Sequence, residues 1–322
     1  MAFVHLHNHS DFSILDASTS IQAMVDAAYE QHMPALALTD HSYMFGVPNF
    51  DLACRKYNEA ALDMKQWEHD VECLKRKWDN EEPAPDDENA NIHACRHAQW
   101  ERDMRVFEET HDIAEVEKLR PAPSLKPIFG CEANLIPDEC IEKGTSQIRW
   151  HLVLLVKNAT GYVNLMKMMS KAANEMMYYK PRCTFAMLEQ YHEGLICLSG
   201  CAKGVIASMI IQGRMDDARR WALRFKKLFG EDFYLEIQDH GIARDNWGGL
   251  SERDIAERIV TLARELDIRV VATNDVHYFS EEDFQTRDIL SCIGQGAHLN
   301  ESYESTLPGL SLIHISEPTR LL

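Results

Sequence analysis

No apolar run in this sequence approaches the ~18 residues of a membrane-spanning helix, and the first residues lack the basic segment and apolar stretch of an export signal. A membrane-embedded or exported protein is therefore not expected. Positive charge is also scarce. With 33 lysines and arginines against 51 aspartates and glutamates the formal net charge is −18, so the surface lacks the broad basic footprint of a protein that grips duplex DNA alone. Contact with nucleic acid must be local, assisted by metals, or supplied by another part of a larger protein. Paired cysteine spacing is missing as well: the 9 cysteines are odd in number and form no disulfide framework, which points to a reducing, cytoplasmic compartment. What the chain does have is 45% hydrophobic residues over 322 positions, enough for one barrel-sized domain or two ordinary ones.

Short apolar strand candidates recur at Phe3–His7, Ala35–Leu38, Ile128–Gly130, His151–Val156, Leu195–Leu198, Tyr234–Ile237 and Arg269–Ala272, each followed by a helical pattern. Such alternation predicts a parallel α/β architecture. Helix punctuation supports it: Thr160 is a candidate cap for the segment through Leu165 and Met169, Ser251 with Asp254 resembles a capping box, and Gly230 stops the helix holding Trp221, Phe225 and Leu228.

One stretch breaks the rhythm, since roughly seventy residues of charged sequence separate the second strand from the third where a βα unit needs only a few loop residues beyond its helix. Tyr57, Ala60, Met64, Trp67, Val71, Leu74 and Trp78 follow the 3-4 spacing of a coiled-coil seam, a polar, proline-punctuated link follows, and Trp100, Met104, Phe107 and Ala114 then share a second face. An inserted helical hairpin at about 55–120 is expected. Its Cys73, His93, Cys95, His97 and His111 lack the paired spacing of structural zinc and read as solvated or seam residues.

The chemistry-bearing residues lie elsewhere. His5 and His7, two apart in a strand, present two imidazoles to one point, and Asp16 follows in a turn-prone LDAS. The second strand ends in Asp40-His41, the third in Glu132, and the seventh repeats the two-apart geometry with Asp275 and His277. Working groups of a βα barrel sit where its strands end, so these segments are expected to converge.

In order, FVHLHNHSDFSILDA, ALTDHSYMFGV, PIFGCEANL, HLVLLVKNATGYVNLMKM, GLICLSGCAKG and VVATNDVHYF resemble the PHP (polymerase and histidinol phosphatase) domain at the start of bacterial DNA polymerase III alpha subunits. LSGC and ATNDVHYF point to the polymerase branch. The resemblance implies an α/β fold, a distorted seven-stranded TIM-like βα barrel over residues 1–285 carrying the inserted hairpin, with 286–309 beginning the following polymerase region. It further implies up to three divalent metal ions on His5, His7, Asp16, His41, Glu132, His151, Cys201, Asp275 and His277. His151 opens its strand, so only the resemblance brings it to the site. His9 and Asp40 read as groups that orient ligands, and Glu236 and His240 as second-rank or substrate-side positions. Cys201 admits two readings, a soft thiolate ligand or a small buried apolar residue. Mixed imidazole, carboxylate and thiolate donors favour zinc, with manganese or iron possible at oxygen-rich positions.

The function so implied is metal-dependent 3′–5′ exonuclease action on a DNA 3′ end, in company with the rest of the alpha chain and the replisome's sliding clamp, clamp loader and separate proofreading subunit. A non-catalytic, metal-stabilised scaffold and a free-standing phosphoesterase of the histidinol phosphatase type are the alternatives. Residues 310–322 do not continue the family; they read as a non-native tail resembling a translated sequencing adapter on a truncated chain. No polymerase activity is expected of this chain, because the palm carboxylates would lie beyond it.

Overall fold

The computed structural model describes residues 3–31, 33–61, 125–137, 140–141, 148–241, 249–278 and 283–295. The bulk of the expected hairpin and the segments 296–309 and 310–322 lie outside the described residues. The described elements run α1 (Ile21–Glu30), β1 (Ala35–Leu38), α2 (Val47–Ala61), β2 (Lys126–Leu135), β3 (Trp150–Val156), α3 (Ala159–Glu175), α4 (Phe185–Tyr191), β4 (Leu195–Leu198), α5 (Val205–Ile211), α6 (Met215–Phe229), β5 (Phe233–Ile237), α7 (Glu252–Leu266), β6 (Arg269–Ala272) and α8 (Phe284–Gln295). No helix among them is long and apolar enough to cross a membrane.

The six strands form one sheet in sequence order, β1 to β6. Two expectations need correction. First, the sheet is not all parallel: β3 runs antiparallel to both β2 and β4, whereas β1–β2, β4–β5 and β5–β6 are parallel. A short buried strand has the same apolar composition in either direction, so its sense is absent from the pattern. Second, Phe3–His7 forms no strand. That stretch still runs between β1 and the segment after β6, with Ala37 N donating to His5 O (2.9 Å), Thr39 N to Asn8 O (2.9 Å), Val276 N to His7 O (3.1 Å) and His9 N to Val276 O (2.8 Å). The Asn8 amide pins it by donating to His5 O and Ala37 O, and that local detour replaces a regular ladder.

Period-two alternation sorts the sheet's two faces. Cys131, Ala133 and Leu135 of β2, Leu152 and Leu154 of β3, Leu195 and Cys197 of β4, and Phe233 and Leu235 of β5 pack against helices in one large buried cluster that takes in Leu165, Phe225 and Ile259. The inner face has two levels. Ala37, Val153, Leu155 and Leu198, with Leu6, Ile128, Ile196, Tyr234 and Val271 against them, fill one end with apolar side chains. Further along the same face stand Glu132 on β2, four residues beyond Ile128, and His151 on β3 and Glu236 on β5, two residues from Val153 and Tyr234 respectively. Because β3 is reversed, its first residues lie at the end where the other strands finish, which brings His151 to the polar level.

Capping follows the sequence with one change. Ser251 and Asp254 form the capping box of α7 and Gly230 ends α6 at φ 58°, but Asn158 rather than Thr160 caps α3, its side chain accepting from Gly161 N. Helix α2 continues to Ala61, and Tyr57 on it stacks on Tyr29 at 4.1 Å, so residues 55–61, counted within the expected hairpin, belong to α2. Every donor discussed below comes from outside 62–120. Replacing 62–120 by a Gly/Ser linker should leave the bound metal per chain unchanged in elemental analysis; a loss would make His93, Cys95 and His97 candidate ligands.

Candidate metal centre

Glu132 sits at the middle of the polar level because the chain after β1 continues alongside β2. Its backbone N donates to Thr39 O and Asp40 O at 3.2 Å and its carbonyl accepts from Ser42 N at 2.8 Å, which sets His41 beside it. The carboxylate is buried and faces four imidazoles: His41 Nδ1 and His151 Nδ1 in close contact, His9 Nε2 at 3.4 Å and His7 Nε2 at 3.8 Å.

Three groups of donors surround it: His7, His9 and Asp275; His9, His41 and His277; and Glu132, His151 and Cys201. In the first, Asp275 Oδ1 lies 3.2 Å from His7 Nε2 and 3.1 Å from His9 Nε2. Those separations suit the edges of a tetrahedron of about 3.3 Å that follows from metal–ligand bonds of about 2.0 Å. The second is flanked by Asp16, whose Oδ2 lies 2.8 Å from His41 Nε2 and 3.8 Å from His277 Nε2. In the third, Cys201 Sγ is 3.6 Å from His151 Nδ1. Gly200 makes that approach possible: at φ 82°, an added Cβ would sit 2.5 Å from His151 O.

The surroundings are built to hold ligands in one state. His7 Nδ1 donates to Glu236 Oε1 at 2.7 Å, leaving Nε2 for the centre, where it is buried without a hydrogen-bond partner. Glu236 is itself held by Gly200 N at 3.1 Å, Gln238 Nε2 at 2.9 Å and the Thr273 hydroxyl. His277 Nδ1 donates to Asp275 O at 2.8 Å, which likewise frees its Nε2. The Asp40 carboxylate is bonded to the serines of the loop and not to the donor residues. It accepts from Ser10 N at 2.7 Å and Ser13 Oγ at 2.8 Å, and Ser13 Oγ meets His9 Nδ1 at 3.3 Å, so Asp40 fixes the loop that carries His9. His240 bonds Glu252 and, through Nε2, the carbonyl of Asn274 at 2.7 Å. These bonds fix ring orientation and tautomer, the usual work of groups just outside a metal's ligands.

Charge follows the same geometry. Burial raises a carboxyl, yet His151 and His41 hold Glu132 well below the usual range. Burial disfavours a charged imidazole, but Asp275, Glu236 and Glu132 outweigh it and lift His7 to about 10, while burial with His41 and His277 beside it keeps His9 well below its ordinary value. Burial with Asp275 and Glu132 nearby pushes the Cys201 thiol well up, a preference that a coordinated cation reverses. A buried imidazole nitrogen without a partner, a buried carboxylate facing four imidazoles, and N, O and S donors at ligand spacing fit divalent metal ions.

Of the nine residues implied by the resemblance, His7, His41, Glu132, His151, Cys201, Asp275 and His277 fall in these donor groups and Asp16 beside one of them. His5 does not. It is buried, neither ring nitrogen has a hydrogen-bond partner, its ring meets Phe3 edge-on at 4.8 Å, and burial lowers it to about 4, so it is a neutral ring filling space. His9, read from sequence as an orienting group, stands in two of the three groups. The two-apart signal was present in His7 and His9 as much as in His5 and His7; which pair reaches the mouth depends on where the extended stretch ends.

A family model for the PHP domain matches residues 5–71 and 93–240. Among curated proteins, the DNA polymerase III subunit alpha of Treponema pallidum is 34% identical over 298 residues, covering 91% of this chain and 19% of its own length. That of Borreliella burgdorferi is 34% identical over 299 residues, covering 92% of this chain and 20% of its own. The chain thus spans about one fifth of the length of these relatives.

The two histidines make a direct comparison. His9→Asn should weaken metal binding far beyond the ~10–100-fold typical of removing a residue that only supports a ligand. His5→Asn should leave stoichiometry and affinity nearly unchanged, and competition titration with a chromogenic chelator reads both; equal losses would put His5 back among the ligands.

Proposed function

Since this chain belongs to the PHP domain family, we propose that its metal centre hydrolyses phosphodiester bonds, removing nucleotides from a DNA 3′ end in the 3′–5′ direction. The observation that carries the reading is the set of three donor groups gathered around Glu132 from six separate segments of the chain. Bound divalent ions would supply a water of lowered pKa and neutralise charge on the phosphoryl oxygens. His7, His9 and Asp275 would hold one ion, His41 and His277 with Asp16 a second, and Glu132, His151 and Cys201 a third, with the one nitrogen His9 can offer serving a single ion; zinc is favoured by the imidazole and thiolate donors and manganese or iron suits the carboxylate-rich side. Glu236 keeps one proton of His7 on Nδ1 and the carbonyl of Asp275 keeps that of His277 on Nδ1, so an ion that displaces the second proton of His7 would meet both rings at Nε2.

A DNA 3′ end is proposed as substrate on the strength of the similarity to polymerase alpha subunits. On the same ground the remainder of an alpha chain, the sliding clamp, the clamp loader and a separate proofreading subunit are proposed as partners. With a net charge of −18 the chain offers no broad electrostatic grip on DNA. The metal ions and the rest of an alpha chain would have to provide it.

Metal-loaded protein given 3′-mismatched DNA should release single nucleotides, and should act poorly on a small phosphomonoester such as histidinol phosphate. Asp275→Asn or His277→Asn should reduce release to near background with folding largely kept, chelation should do the same, and added Zn²⁺ or Mn²⁺ should restore only the unmutated protein. Absence of hydrolysis by the unmutated, metal-loaded protein together with lost thermal stability on chelation would assign the centre a scaffolding role. Preference for the small phosphate would assign a free-standing phosphoesterase.

A further inference from the structure

Asp16 is the least enclosed carboxylate of the centre, with its side chain 29% exposed against 1% for Glu132 and 8% for Asp275. It also lacks a strand to hold it. It follows Leu15, whose φ of 66° is left-handed and costs a branched side chain about 1–3 kcal/mol, in a turn closed by Asp16 N and Ala17 N on Ser13 O. Something must keep that turn in place if Oδ2 is to stay 2.8 Å from His41 Nε2.

Helix α8, which follows the last strand, meets the turn at two points. Arg287 on it is buried and donates from Nη2 to Asp16 Oδ1 at 3.2 Å. About two turns further on, Gly294 lies against Leu15 so closely that an added Cβ would sit 3.2 Å from Leu15 Cβ and 3.4 Å from its carbonyl oxygen. The guanidinium takes one carboxylate oxygen and leaves the other for the group of His9, His41 and His277. We propose that Arg287 is a positioning residue for the metal centre, acting through Asp16, so that the helix leading out of the sheet completes the site. The inference rests on the metal-centre reading above.

Two effects of Arg287 oppose each other, and the sign of a measurement separates them. Its positive charge repels a cation bound nearby, so its removal would tighten binding if charge were its only influence. Its hydrogen bond orders Asp16, so its removal loosens binding if positioning dominates. The full 322-residue chain is titrated with Co²⁺, following total bound cobalt and the thiolate-to-cobalt charge-transfer absorption that reports only the ion at Cys201. Arg287→Ala should weaken one equivalent by about 10–100-fold, the range for losing a residue that supports a ligand, and leave the charge-transfer midpoint where it was. Arg287→Lys should recover part of the loss, and in an Asp16→Asn background Arg287→Ala should cause no further weakening. Unchanged or tighter binding, equal weakening at both readouts, or full additivity with Asp16→Asn would overturn the inference. If the unmutated chain takes up no cobalt, the metal centre itself is refuted, and the inference with it.

Discussion

A carboxylate enclosed at the centre of a curled sheet is the constraint on which this structure turns. Taking the charge of Glu132 out of water costs several kcal/mol unless opposite charge and hydrogen bonds replace the solvent. No lysine or arginine approaches it among the described residues; imidazoles do, from the N-terminal stretch, from the end of β1 and from the start of β3. Imidazoles alone can balance a carboxylate by holding protons, but a second carboxylate, Asp275, bears on the same rings, and Glu236 and Asp16 bear on two of them. An arrangement with that many acids around shared histidines is compensated more fully by divalent cations than by protons. The chemistry proposed for the protein is therefore an extension of what keeps its interior electrically tolerable.

The sheet makes this possible by dividing its inner face along its length. Val153 and Leu155 sit below His151 on β3, and Tyr234 sits below Glu236 on β5, so each of these strands contributes an apolar floor and a polar end. A regular parallel barrel would carry the beginning of β3 to the floor. Its reversal is what allows a strand-opening histidine to face Glu132, and it uses the bond from His151 N to Lys203 O, at 3.1 Å, to tie that opening to the turn bearing Cys201.

Much of this was legible in the sequence because the signals were local. The strands from Ala35 to Ala272 fell on the apolar runs that marked them, although β2 runs from Lys126 through Glu132 to Leu135, well past the expected end at Gly130; the capping box of α7 was readable at Ser251 and Asp254, and Asp275 with His277 declared themselves by spacing. What escaped was non-local. The direction of β3 leaves no trace in WHLVLLV. His5, His7 and His9 satisfy the same two-apart rule in pairs, and only the bonds of the stretch to Ala37, Thr39 and Val276 decide which of them reach the centre. Arg287 gave no signal at all, since a single arginine in an amphipathic helix ordinarily reads as part of a solvated face. The family resemblance supplied His151 and Cys201, which the strand-end rule by itself would have passed over.

Backbone strain is distributed in keeping with this picture. Among the described residues, left-handed φ at non-glycine positions occurs at Leu15, Ser42, Tyr179, Asp267 and Asp275. Asp267 is an ordinary helix end, capping α7. Leu15 precedes Asp16, Ser42 follows His41, and Asp275 is itself a donor, so three of the five touch the centre. At about 1–3 kcal/mol each, such conformations persist only where neighbours over-determine them. Here the neighbours can be named: α8 packs on Leu15, Asn134 Nδ2 donates to the Ser42 hydroxyl at 2.6 Å, and His277 and His240 donate to the carbonyls of Asp275 and Asn274. Bonds that would be redundant in a relaxed loop thus fix ligands that their own backbone disfavours. The strain lies mostly where donor placement has to be held to fractions of an ångström, while the outer part of the fold has only the Asp267 helix end and Tyr179, in the connection between α3 and α4, to accommodate.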